Sequence, residues 1–404
     1  MKYIIFLGDG MADDTKTCKQ GNTPLMIAKK PNIDALMKKG IIGSLTTIPK
    51  IMPAGSEIAN MSILGYDPAV YYQGRGVLEA ASMGIDIKEG EVAIRCNLIC
   101  IEDNKIKNHS AGHITSQESE QLISYLDEKL GDSNIRFYPG ISYRHLLVIK
   151  NASNAIDLTP PHDVPGTEVG LVMPRPLHEK GEATAKQIDS LIRKSWELLS
   201  THQINIKRIK EGKDPANSIW PWSPGYRPHM ISFHEKYGIR AAVISAVDLI
   251  KGLGVYAGMD IIKVDGATGL YDTNYEGKAD ACIAALKDHD LVYVHVEAPD
   301  EAGHEGNFAL KVKTIEDFDK RLIGRVLNNL KTIDGSVKIA VLPDHPTPIK
   351  LRTHTRDPVP FIIADPDDPQ KDTMLAYDER ITDNANTSHL KGDDFIKLFL
   401  KVDS

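Results

Sequence analysis

The stretch Lys338–Pro348, KIAVLPDHPTP, sets a short apolar run directly against an aspartate, a histidine and two prolines. Such a run reads as a buried β-strand, and Pro346 and Pro348 forbid its regular continuation. The strand therefore ends by presenting Asp344 and His345 side by side. Two other stretches repeat the pattern. KYIIFLGD ends at Asp9, and LVYVHVEAPDEAGH ends at Asp300 with His304 four residues on. His354 follows in RTHTRDPVP, just ahead of a further apolar run, PVPFIIAD. RAAVISAVDLI reads as another strand, while NFALKVKTIEDFDKRLIGRVLNNLKTI has apolar residues at spacings of three and four, the mark of a crossover helix. Strands alternating with helices predict an α/β fold, a mostly parallel sheet sandwiched by helices.

The middle of the chain reads differently. From about Ile85 to about Gln203 it is more polar and alternating, with RFYPGISYRHLLVI as hairpin-like strands. DLTPPHDVPGTEVGLVMPRP is a Pro/Gly-rich loop, and ATAKQIDSLIRKSWELLSTH is a long amphipathic helix. This predicts a smaller α+β domain, residues 85–203, inserted into a core made of residues 1–84 and 204–404. A length of 404 residues suits two domains.

With 42% apolar and 25% charged residues, the composition is that of a soluble globular protein. A net charge of −7 argues against nucleic acid or an anionic membrane as partner. No apolar run is long enough to cross a bilayer, and MKYIIFLGDGMADD is too short and acidic for a signal peptide. The four cysteines lack zinc-ribbon or disulfide spacing; Cys96 and Cys100 fall on one face of EVAIRCNLICI, as strand packing. The cytoplasm is the expected location, and the oligomeric state is left open.

In a doubly wound sheet the carboxyl ends of parallel strands line one crevice, where ligands bind. Asp9, Asp300 and Asp344 would meet there with His304, His345 and His354 close behind. Three neighbouring carboxylates repel and raise each other's pKa values, and a divalent cation relieves this. Mixed carboxylate and imidazole ligands suit manganese, zinc or magnesium. One aspartate after a strand is commonly a helix N-cap; its recurrence at three strand ends is what points to metal. His295, inside the apolar run LVYVHVEA, reads as a core histidine.

In PKIMPAGSEIANMSILGYDP, Ser56 falls at the N-terminus of a helix, where free N–H groups favour an anion. A serine hydroxyl becomes nucleophilic when a base or metal lowers its pKa, and the acidic crevice would supply that. Ser62 lies inside the helix, as surface or packing. The first strand carries no G-x-G-x-x-G and the chain no P-loop, which disfavours a nucleotide-binding module.

FLGDGMAD, PAGSEIANMSILGYDP, GRGVLEAASMGIDIKEGEVAIRCNL, VEAPDEAGHEGN and PDHPTP…THTRDPVPF, taken together, resemble the archaeal-type cofactor-independent phosphoglycerate mutases of the alkaline phosphatase superfamily. The resemblance runs in order over most of the chain. It implies an alkaline-phosphatase-like core and an isomerase of glycolysis and gluconeogenesis. That enzyme interconverts 3- and 2-phosphoglycerate through a phosphoserine, with two divalent ions and no 2,3-bisphosphoglycerate. By motif, Asp9, Ser56, Asp344 and His345 would hold one ion, manganese first with zinc or magnesium as alternatives, and Asp300, His304 and His354 the other. Ser56 would be the nucleophile, and Lys251 in AVDLIKGLG would lie between metals and substrate phosphate. Arg75, Arg95, Arg144 and Arg227 are candidates for the substrate's phosphate and carboxylate.

The chain also departs from that pattern. NHSAGHI puts His109 and His113 where many relatives carry arginines, and both are candidates for proton transfer. Pro346 replaces a usual serine, and PANSIWPWSPGYRP lacks an arginine that Arg227 would replace. These departures keep a second reading open: a related metal-dependent phosphatase or phosphotransferase acting on another small hydroxy compound, such as a homoserine kinase-like enzyme.

Overall fold

The computed structural model describes residues 1–18, 21–370, 376–384 and 387–402. Its strands, in chain order, are β1 (Lys2–Gly8), β2 (Gly40–Thr46), β3 (Glu91–Glu102), β4 (Lys105–Asn108), β5 (Ile135–Tyr138), β6 (Arg144–Lys150), β7 (Ile156–Asp157) and β8 (Arg175–Pro176), followed by β9 (Ser218–Gly225), β10 (Ala241–Ile244), β11 (Asp260–Ile261), β12 (Leu291–Val296), β13 (Val337–Leu342), β14 (Val359–Ala364) and β15 (Ser388–Lys391). The chain divides into two compact units, residues 1–72 with 229–404, and residues 73–228.

The first unit holds an eight-stranded sheet in the order β11-β10-β12-β1-β13-β14-β2-β15. All neighbours are parallel except β14, which runs against both β13 and β2. Alternating side chains of the central strands bury on opposite faces. Ile4, Phe6, Val292, Val294, Ile339, Val341 and Ile362 pack on one face with Ile315, Phe318 and Leu322 of the long helical segment. On the other face, Tyr3 meets Phe399 and Phe361 meets Phe395, both from the helix Asp394–Leu400. Fully burying each such aliphatic or aromatic side chain contributes about 2 kcal/mol. The expected crossover helix is one α-helix, Phe308–Asp317, continued by a π-helical turn, Phe318–Ile323, and a last α turn, Gly324–Asn328.

Register explains why one edge of this sheet carries the chemistry. Leu7 of β1 is paired with His295 on one side and Leu342 on the other. Asp9 lies two residues beyond Leu7 and Asp344 two beyond Leu342, so they leave the sheet at the same level. Because β14 is reversed, the segment from Pro343 to Pro358 begins and ends at that edge, which returns His354 to it. The apolar run of β14 does not reveal its direction. β2 ends at the same edge and leads to the Ser56 helix.

The second unit is an antiparallel sheet, β4-β3-β6-β5, with β9 paired to β3, plus the two-stranded ribbon β7–β8. The helices Ser116–Leu130 and Glu182–Ser200 bury Leu122, Leu126, Ile188 and Ile192 with Ile94, Cys96 and Leu98 of β3. This unit is wider than the expected 85–203. On its N-terminal side the helix Arg75–Ser82 lies so close to β3 that a Cβ on Gly76 would sit 2.6 Å from the Ala93 carbonyl oxygen. On its C-terminal side β9 is the partner of β3; its Pro221 and Pro224, tolerated in a strand paired along one side, hide it from a search for apolar runs. Among the described residues no helix is long and apolar enough to cross a membrane.

Candidate active site

Ser56 is the first residue of the helix Ser56–Ile63, capped by Gly55. Its Oγ lies 3.0 Å from His345 Nε2 and 3.5 Å from Asp9 Oδ1. Asp344 is held by three donors: the Gly10 N–H at 3.0 Å, the adjoining His345 N–H at 2.9 Å and Asn60 Nδ2 at 2.9 Å. Asn60, one turn after Ser56, also accepts a hydrogen bond from the Tyr293 hydroxyl. These contacts fix the Ser56 helix against β12 and the ends of β1 and β13. Gly10 is left-handed (φ +57°), and a Cβ there would sit 2.3 Å from Asp300 Oδ1 and 2.6 Å from Thr347 Oγ1.

Beside this group, Asp300 and His304 lie one turn apart on the helix Ala298–Glu305, as their spacing implies. His304 Nε2 is 3.1 Å from Asp300 Oδ2 and 2.9 Å from His354 Nε2, which is 3.4 Å from Asp300 Oδ1. His304 Nδ1 faces the Arg352 carbonyl oxygen at 3.1 Å. A proton on that nitrogen leaves the Nε2 lone pair turned toward Asp300 and His354, the tautomer a metal ligand needs.

Among the described residues, three donor sets have ligand atoms within 4.8 Å of one another: Asp300, His304 and His354; Asp9, His295 and Asp344; and Asp9, Asp300 and His345. Burial, then Asp344, Asp300 and Glu297, push the Asp9 carboxyl well above its usual range. Burial pushes Asp300 the same way, but hydrogen bonds from His304 and His354 prevail and hold it well below. The Asp300 carboxylate in turn raises His304 to about 9. Without another cation the cluster must recruit protons to balance its carboxylates. A divalent ion does that directly, and carboxylate with imidazole is the donor set it takes. The residues fit metal.

Lys251 sits on the helix Asp248–Tyr256, its ammonium 2.7 Å from Asp248, and that helix packs against the Ser56 helix. Ser62 is buried and bonds the Ile58 carbonyl oxygen, a packing role. His295 is fully buried, as its apolar surroundings imply, but it also places Nε2 3.0 Å from Asp9 Oδ2 and Nδ1 3.3 Å from Ser245. Burial lowers its pKa to about 3, so it meets Asp9 as a neutral imidazole.

The second unit gathers a separate basic and aromatic face. Arg95 and Trp222 are register partners on β3 and β9, with the guanidinium 4.1 Å above the indole and 2.9 Å from Glu79. His162, from the Pro/Gly-rich loop, packs its ring 5.1 Å from Trp222 and 6.1 Å from His109. Burial lowers the His162 pKa, Asp163 opposes this, and His109, Arg95 and Arg75 add to the lowering. His109 and His113 both edge onto Tyr143, and Arg144 stacks on the same ring at 5.4 Å. Asn108 holds the turn that carries both histidines by accepting the Ser110 and Gly112 N–H groups. Arg75, Arg95, Arg144, His109 and His113 thus belong to one neighbourhood. Arg227 instead pairs with Asp86 at the exposed surface.

The sequence profile described as 2,3-bisphosphoglycerate-independent phosphoglycerate mutase matches residues 37–205. The enzyme so named from Methanosarcina barkeri is 51% identical over 403 residues, covering 100% of both chains. A Geobacter sulfurreducens protein, named probable 2,3-bisphosphoglycerate-independent phosphoglycerate mutase, is 45% identical over 402 residues, covering 98% of both. The chain belongs to this family. Among solved structures, the PH0037 protein of Pyrococcus horikoshii superposes with a TM-score of 0.81 at 30% identity, covering 99% of this chain and 96% of that one. The cofactor-independent phosphoglycerate mutase of Thermoplasma acidophilum superposes with a TM-score of 0.67 at 28% identity over 100% of both.

In this phosphoglycerate mutase family member the structure brings together Asp9, Asp300 and Asp344, which the sequence marks by their place after apolar runs. Sequence reasoning missed His295, Asn60 and His162 as site neighbours. Asn60 had a usable signal, its four-residue spacing from Ser56 on one helix. His162 lies in a loop without periodicity, and nothing there marks which side chain turns toward the arginines.

Proposed function

We propose that this protein interconverts 3-phosphoglycerate and 2-phosphoglycerate by phosphoryl transfer through Ser56, independently of 2,3-bisphosphoglycerate. The observation that carries the reading is the placement of the Ser56 hydroxyl, 3.0 Å from His345 and 3.5 Å from Asp9, at the edge of a buried carboxylate–imidazole cluster. Two divalent cations, manganese or alternatively zinc or magnesium, held by Asp9, Ser56, Asp344 and His345 and by Asp300, His304 and His354, would supply Lewis-acid polarisation and a lowered serine pKa.

Ser56 Oγ gives up its proton and attacks the phosphorus of 3-phosphoglycerate. The new Oγ–P bond forms as the bond to the substrate's 3-oxygen breaks, and that oxygen takes a proton. In the second half the 2-hydroxyl of glycerate loses its proton and attacks phosphoserine 56; the new bond to phosphorus forms as the Oγ–P bond breaks, Ser56 Oγ takes a proton back, and 2-phosphoglycerate is left. The first-turn N–H groups of the Ser56 helix favour the anionic phosphoryl group. The Lys251 ammonium supplies positive charge for it. We assign Arg75, Arg95 and Arg144 to the anionic groups of the substrate, since a planar guanidinium matches carboxylate and phosphate alike. Proton transfer falls to the imidazoles of the same face, His109, His113 and His162. Burial keeps His109 and His162 below the usual histidine range, hence neutral and able to accept a proton near pH 7. Arg227, committed to Asp86, receives no substrate role. The four cysteines are free thiols, in keeping with a cytoplasmic enzyme.

His109 and His113, standing in the segment NHSAGHI, favour one alternative, transfer to a different hydroxy acceptor by the same serine. Manganese-loaded protein given 3-phosphoglycerate separates the two. Appearance of 2-phosphoglycerate supports the mutase. Free phosphate without isomer, or phosphate transferred only to added homoserine, replaces it with the alternative.

A further inference from the structure

Lys311 is fully buried, on the helix Phe308–Asp317, and no step above uses it. Its ammonium donates three hydrogen bonds: to the Ala12 carbonyl oxygen at 2.9 Å, to the Thr347 carbonyl oxygen at 2.8 Å, and to Asp13 Oδ2 at 3.0 Å. An ammonium has three donors, so it is saturated. Two of the three acceptors are main-chain carbonyls on different loops. Ala12 lies three residues after Asp9, and Thr347 lies two residues after His345.

The same two loops meet directly, with the Thr347 N–H bonded to the Ala12 carbonyl oxygen at 3.1 Å and Pro346 bridged to Met11 and Ala12. Thr347 passes the constraint on, donating its hydroxyl to Asp300 Oδ1 and lying 3.3 Å from His345 Nδ1. Asp13 extends it, accepting the Ile349 N–H at 3.1 Å and the Cys18 thiol at 3.2 Å. Behind it, Glu379 accepts the Asp13 N–H at 2.9 Å and the Thr23 hydroxyl at 2.7 Å. One buried side chain therefore joins the loop after β1, the loop after β13 and, through Thr347, the helix that carries Asp300.

A buried ion pair is a poor source of stability, since hydrophobic residues of similar volume commonly do as well or better. What an apolar replacement could not do is hold two carbonyls from separate loops at a fixed spacing. We propose that Lys311 is a positioning residue for the metal centre, setting the separation of Asp9, Asp300 and the Asp344–His345 pair. This rests on the two-metal reading above.

The test compares manganese affinity, by calorimetric titration, with thermal unfolding in chelator. Lys311→Met alone strands the buried Asp13 carboxylate, so the working variant is Lys311→Met with Asp13→Asn, which removes both charges. Val326→Ala, a cavity variant on the turn Gly324–Asn328 and outside the hydrogen-bond network just described, supplies the control for general loss of stability. The double variant is expected to bind manganese about 10- to 100-fold more weakly, the range for outer-shell partners of a metal, while Val326→Ala keeps wild-type affinity. Wild-type affinity in the double variant, or an equal loss in Val326→Ala, overturns the inference. A wild-type protein that takes up no divalent cation overturns the metal reading itself, and this inference with it.

Discussion

At the scale of single residues, the nucleophile proposed for the site contributes little to holding the fold. Ser56 is half-buried and its hydroxyl lies against His345 and Asp9, so Ser56→Ala is expected to leave the unfolding temperature nearly unchanged. Isomerase activity should fall by about 10⁴-fold or more, the scale seen when a covalent nucleophile is removed. Activity within tenfold of wild type would exclude a covalent role. Gly10 makes the opposite case, a residue with no functional group that the site cannot replace. Its left-handed backbone and the 2.3 Å approach to Asp300 Oδ1 leave no room for a methyl group. Gly10→Ala should abolish manganese binding in calorimetric titration while circular dichroism still reports a folded protein. Asp9, Asp344 and His345 were legible in the sequence because each ends an apolar run. His295 was legible only as a core residue, since nothing in LVYVHVEA says that β12 is the direct neighbour of β1.

At the scale of elements, the hydrophobic runs of β1, β12, β13 and β14 marked the strands, and the three-and-four spacing marked the long helix. Two things lay beyond that pattern. Direction was one: β14 has the composition of its parallel neighbours, and only its reversed pairing explains how His354 comes back to the edge that Asp344 has just left. The other was β9, SIWPWSPG, whose prolines contradict a strand until its single partner is known. That strand matters because it carries Trp222, on which Arg95 stacks. Arg95→Met should therefore raise KM for phosphoglycerate and reduce kcat/KM by about 10- to 100-fold, the worth of one charged hydrogen bond. Manganese affinity should be unaffected, because Arg95 belongs to the inserted unit and the proposed metal ligands to the core. Equal kcat/KM in steady-state assays would remove Arg95 from the substrate.

At the scale of the whole molecule, buried charge ties stability to pH. Burial raises the Glu379 carboxyl from 4.5 to about 7, against the hydrogen bonds from Thr23 and Asp13 that oppose it. Between those values the folded chain binds more protons than the unfolded one, so this group's contribution worsens as pH rises through the window and levels off above 7. Glu379→Gln should match the wild type near pH 4.5 and become the more stable of the two by about 3 kcal/mol at pH 8. Parallel denaturant titrations at the two pH values check this, and an unchanged difference would contradict it. Chelating the proposed metal from a hundredfold excess over Kd should cost the core about 3 kcal/mol, read as a shift of its unfolding in calorimetry.

The most direct measurement is chromatographic separation of the products formed when manganese-reconstituted protein is given 3-phosphoglycerate, with no 2,3-bisphosphoglycerate added. The expected result is 2-phosphoglycerate accumulating to equilibrium with total organic phosphate conserved, and none formed by the Ser56→Ala protein. Release of inorganic phosphate in place of the isomer, or isomer formed equally well without Ser56, would contradict it.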